Sequence, residues 1–68
     1  MEKEVVFEKI KEKFKGIRPS RKDVFNYICP LSMEAYKAGE CLSFNEYNVI
    51  RRGGWSETAN YIYTKLFD

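Results

Sequence analysis

Apolar positions recur along the chain at the spacing of one helix face, and short polar or glycine-bearing breaks divide them into five segments. In the first, Val6, Phe7, Ile10 and Phe14 form a stripe with a period of about 3.6 residues, while Glu and Lys coat the opposite side. This predicts a helix over residues 2–15, ended at Gly16, where a residue without a Cβ meets no clash in the left-handed conformation. Ser20 and Asp23 stand at the Ser-x-x-acid spacing that satisfies orphan amides at a helix start. Val24, Phe25, Tyr27 and Ile28 follow. Pro30 pushes Cys29 out of the helical region, so the second helix is predicted over 21–28.

A third segment begins at Ser32, with Leu31 and Tyr36 at the spacing of a hydrophobic staple, and stops at Gly39. The same device then recurs. Leu42 precedes Ser43, Tyr47 takes the staple position, and Glu46 completes a capping box. The fourth helix is predicted over 44–52, with Phe44, Tyr47 and Ile50 on one side. Arg51 and Arg52 occupy its last turn, where positive charge suits the helix dipole. Gly53-Gly54 breaks it. Trp55-Ser56 restarts the chain, and Ala59, Ile62, Tyr63 and Leu66 mark a fifth helix ending near Phe67. The competing pattern is a short strand from Asn48 turning at Gly53-Gly54, which would make a small winged hairpin over 48–57. The capping box at Ser43 and Glu46 favours the helix.

The fold expected is all-α: one domain over 1–68, with four to five short helices around one aromatic–aliphatic core. The expected core is Val6, Ile10, Phe14, Val24, Phe25, Ile28, Leu31, Ala35, Phe44, Tyr47, Ile50, Trp55, Ala59, Ile62 and Leu66. Residues 32–52 also fit a helix-turn-helix, with the first helix over 32–38, the turn over 39–42 and the recognition helix over 43–52.

Composition narrows the function. The chain has 68 residues, so it holds one small domain. At 44% apolar and 16% aromatic, it is rich enough for a packed core. It contains no histidine, which excludes imidazole acid–base chemistry, His-activated nucleophiles and zinc sites that need imidazole. Two cysteines, Cys29 and Cys41, cannot complete a four-thiolate metal site, and they read as free, small buried hydrophobes in a reducing cytoplasm. No enzyme activity, cofactor or bound metal is expected. No apolar run approaches the roughly 20 residues of a membrane span. The N-terminal segment alternates charged and apolar residues, unlike a secretory signal.

Net charge is only +2, from 12 basic and 10 acidic residues, so any polyanion-binding surface must be local. Two groups of cations stand out. Arg18, Arg21 and Lys22 surround the start of the second helix, where the dipole disfavours positive charge, so an anionic partner would compensate. Arg51 and Arg52 precede two glycines and Trp55. Arginine forks match phosphate geometry, and glycines permit close backbone approach. In the helix-turn-helix reading, Asn45 and Asn48 join Arg51 and Arg52 on the groove-facing side, since Asn and Arg suit adenine and guanine edges. A separate group, Trp55, Tyr61, Tyr63 and Phe67, fits a protein-docking patch, because Tyr61 and Tyr63 cannot both face the core from two-residue spacing.

Two functions are therefore expected. The first is a small DNA-binding regulator of transcription that contacts phosphates of a duplex through Arg and Lys. The second is a protein-binding adaptor or inhibitor of a host protein, of the kind a phage or mobile element encodes, acting through the exposed aromatics. The sequence leaves the oligomeric state open, a homodimer included.

Over residues 42–68 the chain resembles the end of the Hha family of small nucleoid-associated modulators. The likeness rests on Leu42-Ser43, Asn45-Glu46, Val49 and the closing Lys65-Leu66-Phe67-Asp68. Gly53-Gly54-Trp55 falls where that family has an uninterrupted helix, and its acidic, histidine-bearing stretch has no counterpart. No functional residue is carried over from it.

Overall fold

Serine hydroxyls start three of the helices. Ser20 and Ser43 each accept from the backbone N–H three residues on, at Asp23 and Glu46, and both acids return the bond to the serine's own N–H. Ser32 accepts from the Ala35 N–H. Each bond satisfies a donor that the helix itself cannot.

The computed structural model describes residues 2–29 and 32–68. Among them are five helices and no strand: α1 (Lys3–Lys13), α2 (Arg21–Tyr27), α3 (Met33–Lys37), α4 (Phe44–Ile50) and α5 (Trp55–Phe67). The all-α expectation holds, and the winged hairpin over 48–57 is corrected. Those residues are the end of α4, an extended turn and the start of α5. No helix among the described residues is long and apolar enough to cross a membrane.

The packed helix pairs are α2 with α5, α1 with α4, and α1 with α5. α1 supplies Val6 and Ile10, with Phe14 just past its end, α2 supplies Val24 and Tyr27, and α5 supplies Ala59, Ile62 and Tyr63. Tyr47 and Ile50 of α4, together with Ile28 and Leu42, complete the core. The Phe14 ring lies edge-on to Tyr27 at 5.7 Å and to Phe67 at 6.0 Å, which joins α1 to α2 and α5. The Leu42 N–H donates to the Tyr27 carbonyl at 2.7 Å, so the chain re-enters the core beside the point where α2 leaves it.

Several core expectations are corrected. Phe25 and Phe44 are exposed, at 38% and 57%, because the inward faces are Val24–Tyr27 on α2, continued by Ile28 at its end, and Glu46–Tyr47–Ile50 on α4. Ala35 is only half-buried, while Trp55 and Leu66 are half-buried and pack against the core from its edge. Leu31 and its staple to Tyr36, like Pro30, lie outside the described residues. In return, Tyr27, Leu42, Tyr63 and two polar residues, Glu46 and Thr58, are buried. α4 is also shorter than its pattern. Arg51 has extended backbone, so Arg51 and Arg52 follow the helix and do not occupy its last turn.

α3 buries none of its residues, and α3 with α4 is not among the packed pairs, so a helix-turn-helix core is not what joins them. α3 is closed locally instead. Gly39, at φ +78°, lets its N–H reach the Tyr36 carbonyl and the Glu40 N–H reach the Ala35 carbonyl. An L-residue is strained at that φ. Gly39→Ala is therefore expected to lower stability by about 1 kcal/mol, read as a shift in the urea midpoint without a change of slope.

Candidate nucleic-acid interface

The cations singled out in the sequence occupy two places. Arg18, in the connection before α2, donates to Asp68 Oδ1 at 2.7 Å, and Arg21 donates to Asp68 Oδ2 at 3.1 Å. The Arg21 guanidinium also lies 4.4 Å from the centroid of the Tyr63 ring. Asp68 and this ring offset the unfavourable position of Arg21 in the first turn of α2. Both arginines stay more than half exposed. Lys22 is exposed beside them and pairs with no acid among the described residues.

Arg51 and Arg52 lie on the turn between α4 and α5, and both are exposed. The turn is fixed from within. The Arg52 N–H donates to Thr58 Oγ1, buried at the base of α5, and the Tyr47 hydroxyl donates to the Gly53 carbonyl at 2.9 Å. A Cβ on Gly53 would run into the Glu57 carboxylate. Gly53 thus leaves room for the Glu57 carboxylate and Gly54 is the N-cap of α5, while the Arg52 side chain reaches towards α5. Its guanidinium sits 5.1 Å from the Tyr61 ring centroid.

α5 runs between these two groups. A shallow groove on one side is lined by Arg21, Lys22, Phe25, Ser56, Ala59 and Asn60. A larger one is lined by Arg52, Glu57, Asn60, Tyr61, Thr64 and Lys65. Asn60 borders both. The structure thus brings Arg21, Lys22 and Arg52 to the margins of one surface. It adds Lys65, which the sequence reading missed and which pairs with no acid among the described residues. Ser56, Asn60 and Thr64 were missed too, although their four-residue spacing beside the buried stripe of α5 was visible. Asn45 and Asn48 are exposed on α4 but line neither groove.

The aromatic group is not one exposed patch. Tyr63 is 6% exposed, Phe67 packs edge-on to Phe14, and Trp55 stacks on Tyr47 with centroids 3.3 Å apart. Tyr61 alone of the four belongs to a groove. The setting of Cys41 does not favour a reactive thiol. Cys41 is buried with its Sγ 3.7 Å from the Ser32 carbonyl, and burial pushes its thiol pKa up, while Cys29 is half-buried.

Compared with known families, curated proteins and solved structures, the chain finds no match.

Proposed function

We propose that the protein is a small, non-enzymatic nucleic-acid-binding regulator that grips phosphates through the cations bordering α5. The observation that carries this reading is the charge of that surface. Arg21, Lys22, Arg52 and Lys65 line its two grooves against a single acid, Glu57. Lys22, Arg52 and Lys65 have no acid partner among the described residues, and Arg18 and Arg21 share one carboxylate at the edge. Exposed cations without an acid partner are free to displace counterions from a phosphate backbone. A net charge of +2 does not argue against this, because these cations gather locally along the two grooves that flank α5.

The adaptor reading retains exposed apolar residues at Val5, Ile17, Met33 and Phe44. They are scattered over α1, the following turn, α3 and α4. Most of the aromatic residues first assigned to docking are engaged in packing.

Retention of the protein on duplex DNA across a salt series tests the proposal. Binding at low salt is expected to fall by about 0.9 in log K per neutralised phosphate for each decade of salt. The double variant Lys22→Ala, Arg52→Ala is expected to reduce that slope by about 2 while the thermal midpoint stays in place. Absence of retention at the low-salt end would abandon the reading.

A further inference from the structure

Ser56, Asn60 and Thr64 are all exposed and fall four residues apart, along the flank of α5 that borders the buried Ala59 and Tyr63. That spacing makes one stripe, about 12 Å long at 1.5 Å per residue. The open groove on one flank has a volume of about 690 Å³ and the one on the other about 190 Å³. Each pairs an aromatic ring with cations. In the larger groove, Arg52 and Lys65 lie 5.1 and 6.0 Å from the Tyr61 ring centroid. In the smaller, Phe25 presents an exposed ring beside Arg21 and Lys22.

We infer that this face of α5 is a track for an unpaired nucleic-acid strand, with bases stacking at Tyr61 and Phe25 and phosphates lying along the flanking cations. The inference rests on the nucleic-acid reading above and specifies the state of its ligand. A duplex keeps its base faces inside its own stack, so cations alone suffice to hold it, and half-open rings between those cations add nothing. An unpaired strand exposes a π-face at every base, and a charged groove with interleaved aromatics matches that repeat without regard to sequence. The Ser56 and Thr64 hydroxyls and the Asn60 amide each donate and accept, as phosphate, sugar and base-edge atoms require. Glu57, the one acid in the larger groove, is turned against Gly53. An acidic peptide would satisfy the cations but brings no flat faces for the rings.

The test is fluorescence anisotropy of the intact protein with a labelled oligothymidine of about ten nucleotides and, in parallel, a labelled DNA hairpin. The strand is expected to bind about tenfold more tightly than the hairpin. Tyr61→Leu is expected to weaken strand binding about tenfold and hairpin binding less than about twofold, since one stacked base is worth about 1–3 kcal/mol. Tyr61→Phe, which keeps the ring, is expected to bind the strand like the wild type. Should Tyr61→Leu unfold, photo-crosslinking of the wild type to a bromouracil-substituted strand replaces it. A crosslink at Tyr61 or Phe25 upholds the track, and a crosslink elsewhere or none overturns it. Equal affinity for strand and hairpin, unaffected by Tyr61→Leu, overturns the track and leaves the phosphate-binding reading standing. Displacement of the strand by polyglutamate as readily as by unlabelled strand overturns it in favour of an acidic peptide. Failure of both probes to bind at low salt removes both readings together.

Discussion

Replacing Glu46 by alanine is expected to cost about 3 kcal/mol of folding stability. Glu46 is 2% exposed, yet both its carboxylate oxygens are used. Oε2 accepts from Lys9 Nζ at 2.6 Å, and Oε1 accepts from the Ser43 N–H at 3.0 Å. Alanine strips the reciprocal half of the capping box and so leaves the Ser43 amide without its acceptor, at about 1–3 kcal/mol. It also removes the ion pair that ties α1 to α4. Lys9 is 44% exposed and can turn to water, which keeps the loss near the lower end of the roughly 3–5 kcal/mol seen for fully buried pairs. A chain of 68 residues is stable by about 3–10 kcal/mol, so the effect is a large share of the total. Glu46→Gln keeps an oxygen for the Ser43 amide and is expected to lose about half as much. Urea denaturation reads both, and a loss below about 1 kcal/mol for alanine would show that the pair does not hold the two helices.

The same pair sets a pH window. Burial pushes the Glu46 carboxyl up, but the Lys9 hydrogen bond and the Ser43 amide together outweigh it and hold the group below its ordinary 4.5. Its contribution is therefore present above about pH 4.5 and lost as pH falls through the lowered value. The Glu46 hydrogen bond holds Lys9 above its ordinary 10.5, so that contribution is complete below about pH 10.5 and fades as pH rises beyond it. The stability gap between wild type and Glu46→Gln is expected to narrow as pH drops below about 4.5.

Tyr63→Ala is expected to cost about 3 kcal/mol, and Tyr61→Ala, two residues earlier on the same helix, less than about 1 kcal/mol. Tyr63 is 6% exposed, its ring meets Phe67 at 5.7 Å, and Arg21 lies over its face. Removing it opens a cavity where α5 packs on α2 and frees the cation above it. At about 4–8 °C per kcal/mol for a domain of this size, the melting temperature should fall by more than about 12 °C, if the variant folds at all. Circular dichroism melts of the two variants check the contrast. Equal, small shifts would mean that α5 is rotated from the face described here.

These two residues show where sequence was sufficient and where it was not. The starts of α2, α3 and α4 were legible because capping at Ser20, Ser32 and Ser43 is a bond between near neighbours. Glu46 was read correctly as a capping residue. Its burial was not legible, because that depends on Lys9, 37 residues away. Helix facing failed for the same reason. Phe25 and Phe44 are more apolar than their neighbours, and only the placement of α5 against α2 and of α1 against α4 turns Tyr27 and Glu46 inward in their stead. Tyr61 and Tyr63 could be separated in principle, since Tyr63 continues the Ala59–Ile62 stripe. As for the interface, each cation was visible singly. Their gathering about α5 was not, since Arg21 and Arg52 meet only through a helix that follows both.

The bond between Leu42 and Tyr27 makes the stretch that carries α3 a detour that departs and returns at one place. Its length is thereby uncoupled from the positions of α2 and α4. Doubling such an excursion adds only about 0.6 kcal/mol of closure entropy, so it is the natural point to splice in an affinity tag or a reporter peptide. The grooves along α5, formed by other parts of the chain, would keep their shape.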